Sequence, residues 1–271
     1  MITMRQGLAK RSALLLLVGC LCSGLLTGLA KPWKRHTIDS SSKAAGKLGA
    51  DGVRLADVNG DGLLDITTGW EQGGAIVVYQ NPGPAKARAS WPSVTVGRVV
   101  SPEDAMFIDL DNDGNLDVVS SCEGSARTMY IHWAPPKRAD YWNPSAWRTE
   151  AIPATKGKQL WMFAAPARLD CRGADELFVS SKGGNASIGF LVRKDPDLLA
   201  RDAGGFEYVK LRSAGWIMSL EPLDMDGDGD TDLIYSDRRG ANRGVGWLEN
   251  PGSATIRKPT AWKDHLLGGQ G

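Results

Sequence analysis

Three stretches of this chain crowd oxygen donors at alternate positions: DVNGDGLLD from Asp57 to Asp65, DLDNDGNLD from Asp109 to Asp117, and DMDGDGDTD from Asp224 to Asp232. All three fit one pattern, D-x-D/N-x-D-G-x-x-D. Carboxylates held this close repel one another unless a cation neutralises them. Side-chain oxygens fall at positions one, three, five and nine, and the carbonyl of position seven can add another. A calcium ion takes six to eight hard oxygens at about 2.3–2.6 Å, and a loop of this shape supplies them. The candidate ligands are Asp57, Asn59, Asp61 and Asp65; Asp109, Asp111, Asp113 and Asp117; and Asp224, Asp226, Asp228 and Asp232. The glycine at position six permits the sharp turn. An EF-hand, or the dockerin built from it, requires a Glu at position twelve and flanking helices. Here position twelve is Thr68, Ser120 or Tyr235, and the residues after position nine (ITTGW, VVSSC, LIYSD) read as buried strands.

A fourth copy is degenerate. It runs from Arg168 to Glu176, with Arg168 and Arg172 at positions one and five. Those two cations are expected to bridge Asp170 and Glu176, doing with fixed charges what an ion does elsewhere, so three calcium sites are expected. The loops start at 57, 109, 168 and 224. A second signature keeps the same phase: WKRHTI, WPSVTV, WRTEAI, FEYVKL and WKDHLL, led by Trp33, Trp91, Trp147, Phe206 and Trp262. Each unit then reads as four strands. Strand A enters the loop, strand B leaves it, strand C follows, and strand D is the aromatic-led hexapeptide. Four-stranded units repeated every 40–60 residues or so imply an all-β fold, a β-propeller.

The three loops in their A-loop-B context resemble the FG-GAP/VCBS repeats, the calcium-binding propeller type of integrin α-subunit heads and of many secreted bacterial proteins. The resemblance runs over about residues 33–267. It implies calcium between strands A and B at the twelve residues named above, and leaves any metal at the fourth loop in doubt. The expected organisation is a propeller over 31–271, with units near 33–90, 91–146, 147–205 and 206–261 and the start of another at 262–271. Five D strands against four A-B-C sets leave a ring that cannot close with matched blades. The expectation is about four blades in an incomplete or truncated ring, which would associate through its open edge.

Phase also singles out charges. Six residues after position nine stand Glu71, Glu123, Lys182 and Arg238. Equivalent positions ring a propeller's axis, so these four are expected on one rim, either as a salt-bridged surface or as a ligand site. No zinc spacing and no Ser-His-Asp arrangement is visible, and no catalytic residue is assigned. The three histidines and most of the ten tryptophans read as scaffold, with Trp70, Trp161 and Trp216 outside the D-strand phase. Cys122 and Cys171 sit at opposite strand ends, too far apart for a disulfide.

Residues 1–30 differ from the rest. Arg5, Lys10 and Arg11 precede an uncharged run from Ser12 to Ala30 that ends in small residues. This is a secretory signal pattern. Cleavage after Ala30, lipidation at Cys20 and an uncleaved anchor all stay open. Without residues 1–30 the chain carries 29 basic and 31 acidic groups, and no basic run suggests nucleic acid. The expected role is a secreted, periplasmic or cell-surface module that binds protein or glycan without catalysis, with no membrane span once the signal is cleaved. The alternative is the propeller domain of a carbohydrate-active enzyme of polysaccharide lyase or sugar dehydratase type.

Overall fold

Strand pairing follows the repeat. The structure is a computed structural model and describes residues 33–40, 49–169, 176–195 and 200–268. The expected signal segment of residues 1–30 with Cys20, and Cys171 and most of the degenerate loop, Asp170 and Arg172 included, lie outside the described residues. The first sheet joins β1 (Ala50–Ala56), β2 (Asp65–Trp70), β3 (Ala75–Tyr79) and β4 (Ser93–Arg98). The second joins β5 (Pro102–Ile108), β6 (Asp117–Cys122), β7 (Met129–Trp133) and β8 (Arg148–Ala151). The third joins β9 (Leu160–Ala167), β10 (Glu176–Lys182), β11 (Ser187–Arg193) and β12 (Phe206–Ser213). The fourth joins β13 (Ile217–Leu223), β14 (Asp232–Asp237), β15 (Gly244–Glu249) and β16 (Lys263–Gly268). Each is an antiparallel A-B-C-D meander in chain order, as the phase of the loops and aromatic hexapeptides implies.

Three apolar layers join successive sheets. Ile76, Val78 and Val94 of the first meet Phe107 and Val118 of the second. Val119 and Ile131 of the second meet Leu177 and Leu191 of the third. Phe178 and Phe190 of the third meet Leu233, Tyr235 and Leu248 of the fourth. The inner strands pack side by side in the same order, β1 on β5, β5 on β9 and β9 on β13. Strands B and C lie between two layers and are buried along most of their length, which is why they read as unbroken apolar runs rather than as an alternation.

The tryptophans that lead strand D bond back to the connection before them. The Trp147 indole N–H donates to Tyr141 O at 2.8 Å, and that of Trp262 to Ile256 O at 2.9 Å. The first of the five expected D strands does not form: residues 33–40 carry no strand. A D strand needs a strand C before it, and WKRHTI has none among the described residues. Instead the Trp91 N–H donates to Ile38 O at 3.1 Å, at the head of the D strand that does form. Among the described residues, four D strands therefore match four A-B-C sets.

Candidate functional site

The three acidic loops share one hydrogen-bond plan. The aspartate at position nine is buried at the start of strand B, and clamps the loop to the end of strand C. Asp65 accepts from Val58 N at 3.1 Å and Asn81 N at 2.7 Å; Asp117 from Leu110 N at 3.3 Å and Ala134 N at 2.7 Å; Asp232 from Met225 N at 2.9 Å and Asn250 N at 2.7 Å. The aspartate at position one accepts from the turn: Asp57 from Gly60, Asp61 and Gly62, Asp109 from Asp113 and Gly114, Asp224 from Gly227 and Gly229. Position-six glycines Gly62, Gly114 and Gly229 have φ of 81°, 82° and 94°, a conformation that disfavours any side chain. Burial raises the carboxyls of Asp65, Asp117 and Asp232, against the lowering effect of the N–H groups they accept; Asp117 is pushed up to about 8.

Carboxylate oxygens of Asp109, Asp111 and Asp113 lie within 4.8 Å of one another, as do those of Asp224, Asp226 and Asp232. Both groups suit a hard cation held by oxygens. Asp117 points at backbone N–H groups instead, and Asp228 accepts from Asp230 N at 2.9 Å. In the first loop the Asn59 amide donates to Asp61 at 3.0 Å. Sequence reasoning missed Arg201, whose guanidinium lies 3.5 Å from Asp111 and 3.7 Å from Asp113. In the degenerate loop Leu169 N donates to Glu176 at 2.9 Å, so Glu176 takes the position-nine role. The proposed Arg168–Arg172 bridge lies outside the described residues.

At the other end of strand B stand the four phase-matched charges. The carboxylates of Glu71 and Glu123 converge with that of Glu103, all within 4.8 Å. The Lys182 ammonium from the third sheet enters this group, 3.0 Å from Glu103 and also bonded to Glu123. Burial lowers the Lys182 ammonium, and its bonds to Glu123 and Glu103 outweigh that, leaving it above the ordinary lysine range. Burial, then a hydrogen bond with Glu123, push the Glu103 carboxyl up to about 7, against the pull of Lys182. Arg238 stands apart from the acids and joins them through Trp216. Lys182, Arg238 and Arg239 lie 5.0, 5.4 and 4.6 Å from the centroid of that indole. Three of the four predicted rim residues thus meet directly, and the fourth meets them through an aromatic ring.

Glu103, Trp216 and Arg239 were not singled out for this rim. For Glu103 a signal existed: counted back six from the loop start, the four units read Asp51, Glu103, Met162 and Met218. Nearby, Arg54 grips the buried Asp104 through two hydrogen bonds of 2.8 and 3.1 Å, and Asp104 also accepts from Ala164 N at 3.4 Å, tying three sheets together. Gly52 leaves the room, since a Cβ there would sit 2.4 Å from Asp104 Oδ1.

Residues 57–120 match the family model of the FG-GAP-like repeat, which bears out the resemblance over the first two loops. None of the curated proteins matches the chain by sequence. Among solved structures, the crystal structure of an α-L-arabinofuranosidase from Lactobacillus brevis matches with a TM-score of 0.50 at 14% identity, over 83% of this chain and 75% of that one. At that identity the likeness is one of fold, and it agrees with the all-β propeller reading.

Proposed function

We propose that this chain is a calcium-stabilised β-propeller module that works outside the cytoplasm and binds a protein or glycan ligand at its rim, without catalysis. The observation that carries the reading is the mixed-charge cluster where strand B ends: Glu71, Glu103 and Glu123 within 4.8 Å, Lys182 among them, and Trp216 beside it under two arginines. Hydrogen-bond acceptors, cations and an aromatic ring from all four sheets converge there, the equipment of a recognition site for a polar ligand. Calcium at the three intact loops supports the rim by fixing the far end of the same B strands. Asp109, Asp111 and Asp113 would hold one ion, Asp224, Asp226 and Asp232 another, and Asp57, Asn59 and Asp61 a third once the Asn59 amide turns its oxygen inward. Action outside the cytoplasm rests on the basic-then-apolar pattern of residues 1–30.

One observation favours the enzymatic alternative. A carboxyl titrating near 7 beside a second carboxylate can serve as a general acid at neutral pH. The two readings separate on a panel of immobilised polysaccharides, scored for retention of the calcium-loaded chain and for new reducing ends or unsaturated products. Retention that weakens in Lys182→Gln and yields no product supports the binding module. Product formation that vanishes in Glu103→Gln overturns it in favour of catalysis, and no retention of any polysaccharide removes the glycan half of the reading.

A further inference from the structure

The rim is divided by charge. Its acidic half comes from the first two sheets, with Glu71, Glu103 and Glu123 drawn together around Lys182. Its basic half comes from the fourth, where Arg238 and Arg239 are exposed and, among the described residues, neither forms an ion pair with a carboxylate. We propose that the basic half holds the carboxylate of a sugar acid whose ring hydroxyls reach the acidic half across Lys182. This deepens, and rests on, the reading of the rim as a ligand site.

The basic half is built rather than merely exposed. Asp237, buried at the end of β14, accepts from Gly215 N at 3.1 Å, Trp216 N at 2.9 Å and Arg239 N at 3.3 Å. Arg238 N donates to Trp216 O at 2.8 Å. Position 215 must be glycine, because a Cβ would lie 2.1 Å from Arg239 O. One buried carboxylate thus sets the backbone under the indole and under both guanidinium groups. The two guanidinium centres stay within 5.4 Å of the ring centroid, and the Trp216 Nε1 is itself buried with no hydrogen-bond partner. Guanidinium presents paired donors that fit a carboxylate, and here no carboxylate among the described residues claims them.

The ligand class follows from what each half can exchange. Carboxylate oxygens accept hydrogen bonds, and those of Glu71 and Glu123 can take more than Lys182 alone supplies, so the acidic half calls for donors, and sugar hydroxyls are donors. Guanidinium groups only donate, so Arg238 and Arg239 call for an anion. A sugar acid carries both on one rigid ring. An acidic peptide offers the anion but would bring further carboxylates against the acidic half, and a neutral sugar leaves both arginines unanswered.

The test is calorimetry on the full calcium-loaded chain with three probes: trigalacturonic acid, its methyl ester, and an oligoglutamate of the same charge. The variants are Arg238→Gln with Arg239→Gln, singly and together, each checked for an unchanged melt. We expect the acid to bind, the ester and the oligoglutamate to bind at least about tenfold more weakly, and the double variant to lose about tenfold or more of its affinity for the acid. Equal binding of acid and ester, or a double variant that binds like the parent, overturns the sugar-acid assignment and leaves the rim as a ligand site. Oligoglutamate binding as tightly as the acid overturns the sugar half. No binding of either saccharide by the parent chain overturns this proposal together with the glycan reading beneath it.

Discussion

Burial and the neighbouring Glu123 push the Glu103 carboxyl up to about 7, and Lys182 only partly offsets them. Glu71, Asp51 and Asp104 also face this corner of the rim. A carboxyl whose folded pKa is raised adds stability that is present in full below the ordinary glutamate range and is lost as pH rises through about 7. Melting temperature should therefore fall between pH 5 and pH 8 more in the parent than in Glu103→Gln; parallel curves would refute the assignment. His132 contributes in the opposite direction. Complete burial between Ser120 and Thr149, 2.9 and 2.8 Å away, pushes its imidazole down to about 3, so its contribution is lost as pH falls below its ordinary value. The same ring sets a steric test. A Cβ on Gly97 would lie 2.0 Å from His132 Nδ1, so Gly97→Ala should cost about 1–3 kcal/mol in urea unfolding. A cost below about 0.5 kcal/mol would show that the ring can move aside.

Within one loop, the nine positions divide into two jobs. Asp117 is a structural clamp, because its oxygens satisfy Leu110 N and Ala134 N in a dry environment. Asp113 is exposed and grouped with Asp109 and Asp111, where a cation fits. Asp117→Ala leaves two buried N–H groups without an acceptor and should cost about 2–4 kcal/mol with or without calcium. Asp113→Ala should cost stability only where calcium is present in the comparison. Chemical denaturation of both variants in calcium and in chelator checks this; identical calcium responses would refute the division. Arg201, which approaches Asp111 and Asp113, softens the repulsion in this loop.

Across the whole molecule, apolar layers hold blade to blade, and calcium is expected to brace each intact loop within its own blade. Loops of the extracellular class bind with dissociation constants near 10⁻⁴ M, so about 1 mM calcium adds roughly 1.4 kcal/mol per site and about 4 kcal/mol for three. Chelation should lower the melting temperature markedly, and elemental analysis should count three ions; an unchanged melt with no calcium found would sink the metal reading. A second expectation concerns association. In the second and third sheets the position two residues past position nine, Val119 and Phe178, is buried against the next sheet. Its counterpart Ile234 in the fourth is only half-buried, and Leu223 and Val245 on the same face stay exposed. Uncovered apolar area of this kind promotes self-association. Light scattering should report oligomers that Val245→Lys reduces; a monomer in both cases would contradict it.

The blade plan was legible in the chain alone. Short apolar runs of strand length, a loop that demands glycine at position six and an aromatic at each D-strand head leave few alternatives, and four-fold repetition turns each into a checked register. The place of Glu71, Glu123, Lys182 and Arg238 at one end of strand B followed from the same phase. Three things did not follow. WKRHTI carries the D-strand pattern yet forms no strand, because a strand exists only through a partner and the described residues place no strand C before it. Arg201 reaches the second loop from a neighbouring blade's connection, a contact set by how blades pack and not by any local spacing. Trp216 completes the rim because the packing of the fourth sheet against the third brings its indole to Lys182. Repetition fixes where a residue sits within its own blade; which side chains of different blades touch, and hence which charges answer one another, is decided only when the sheets pack.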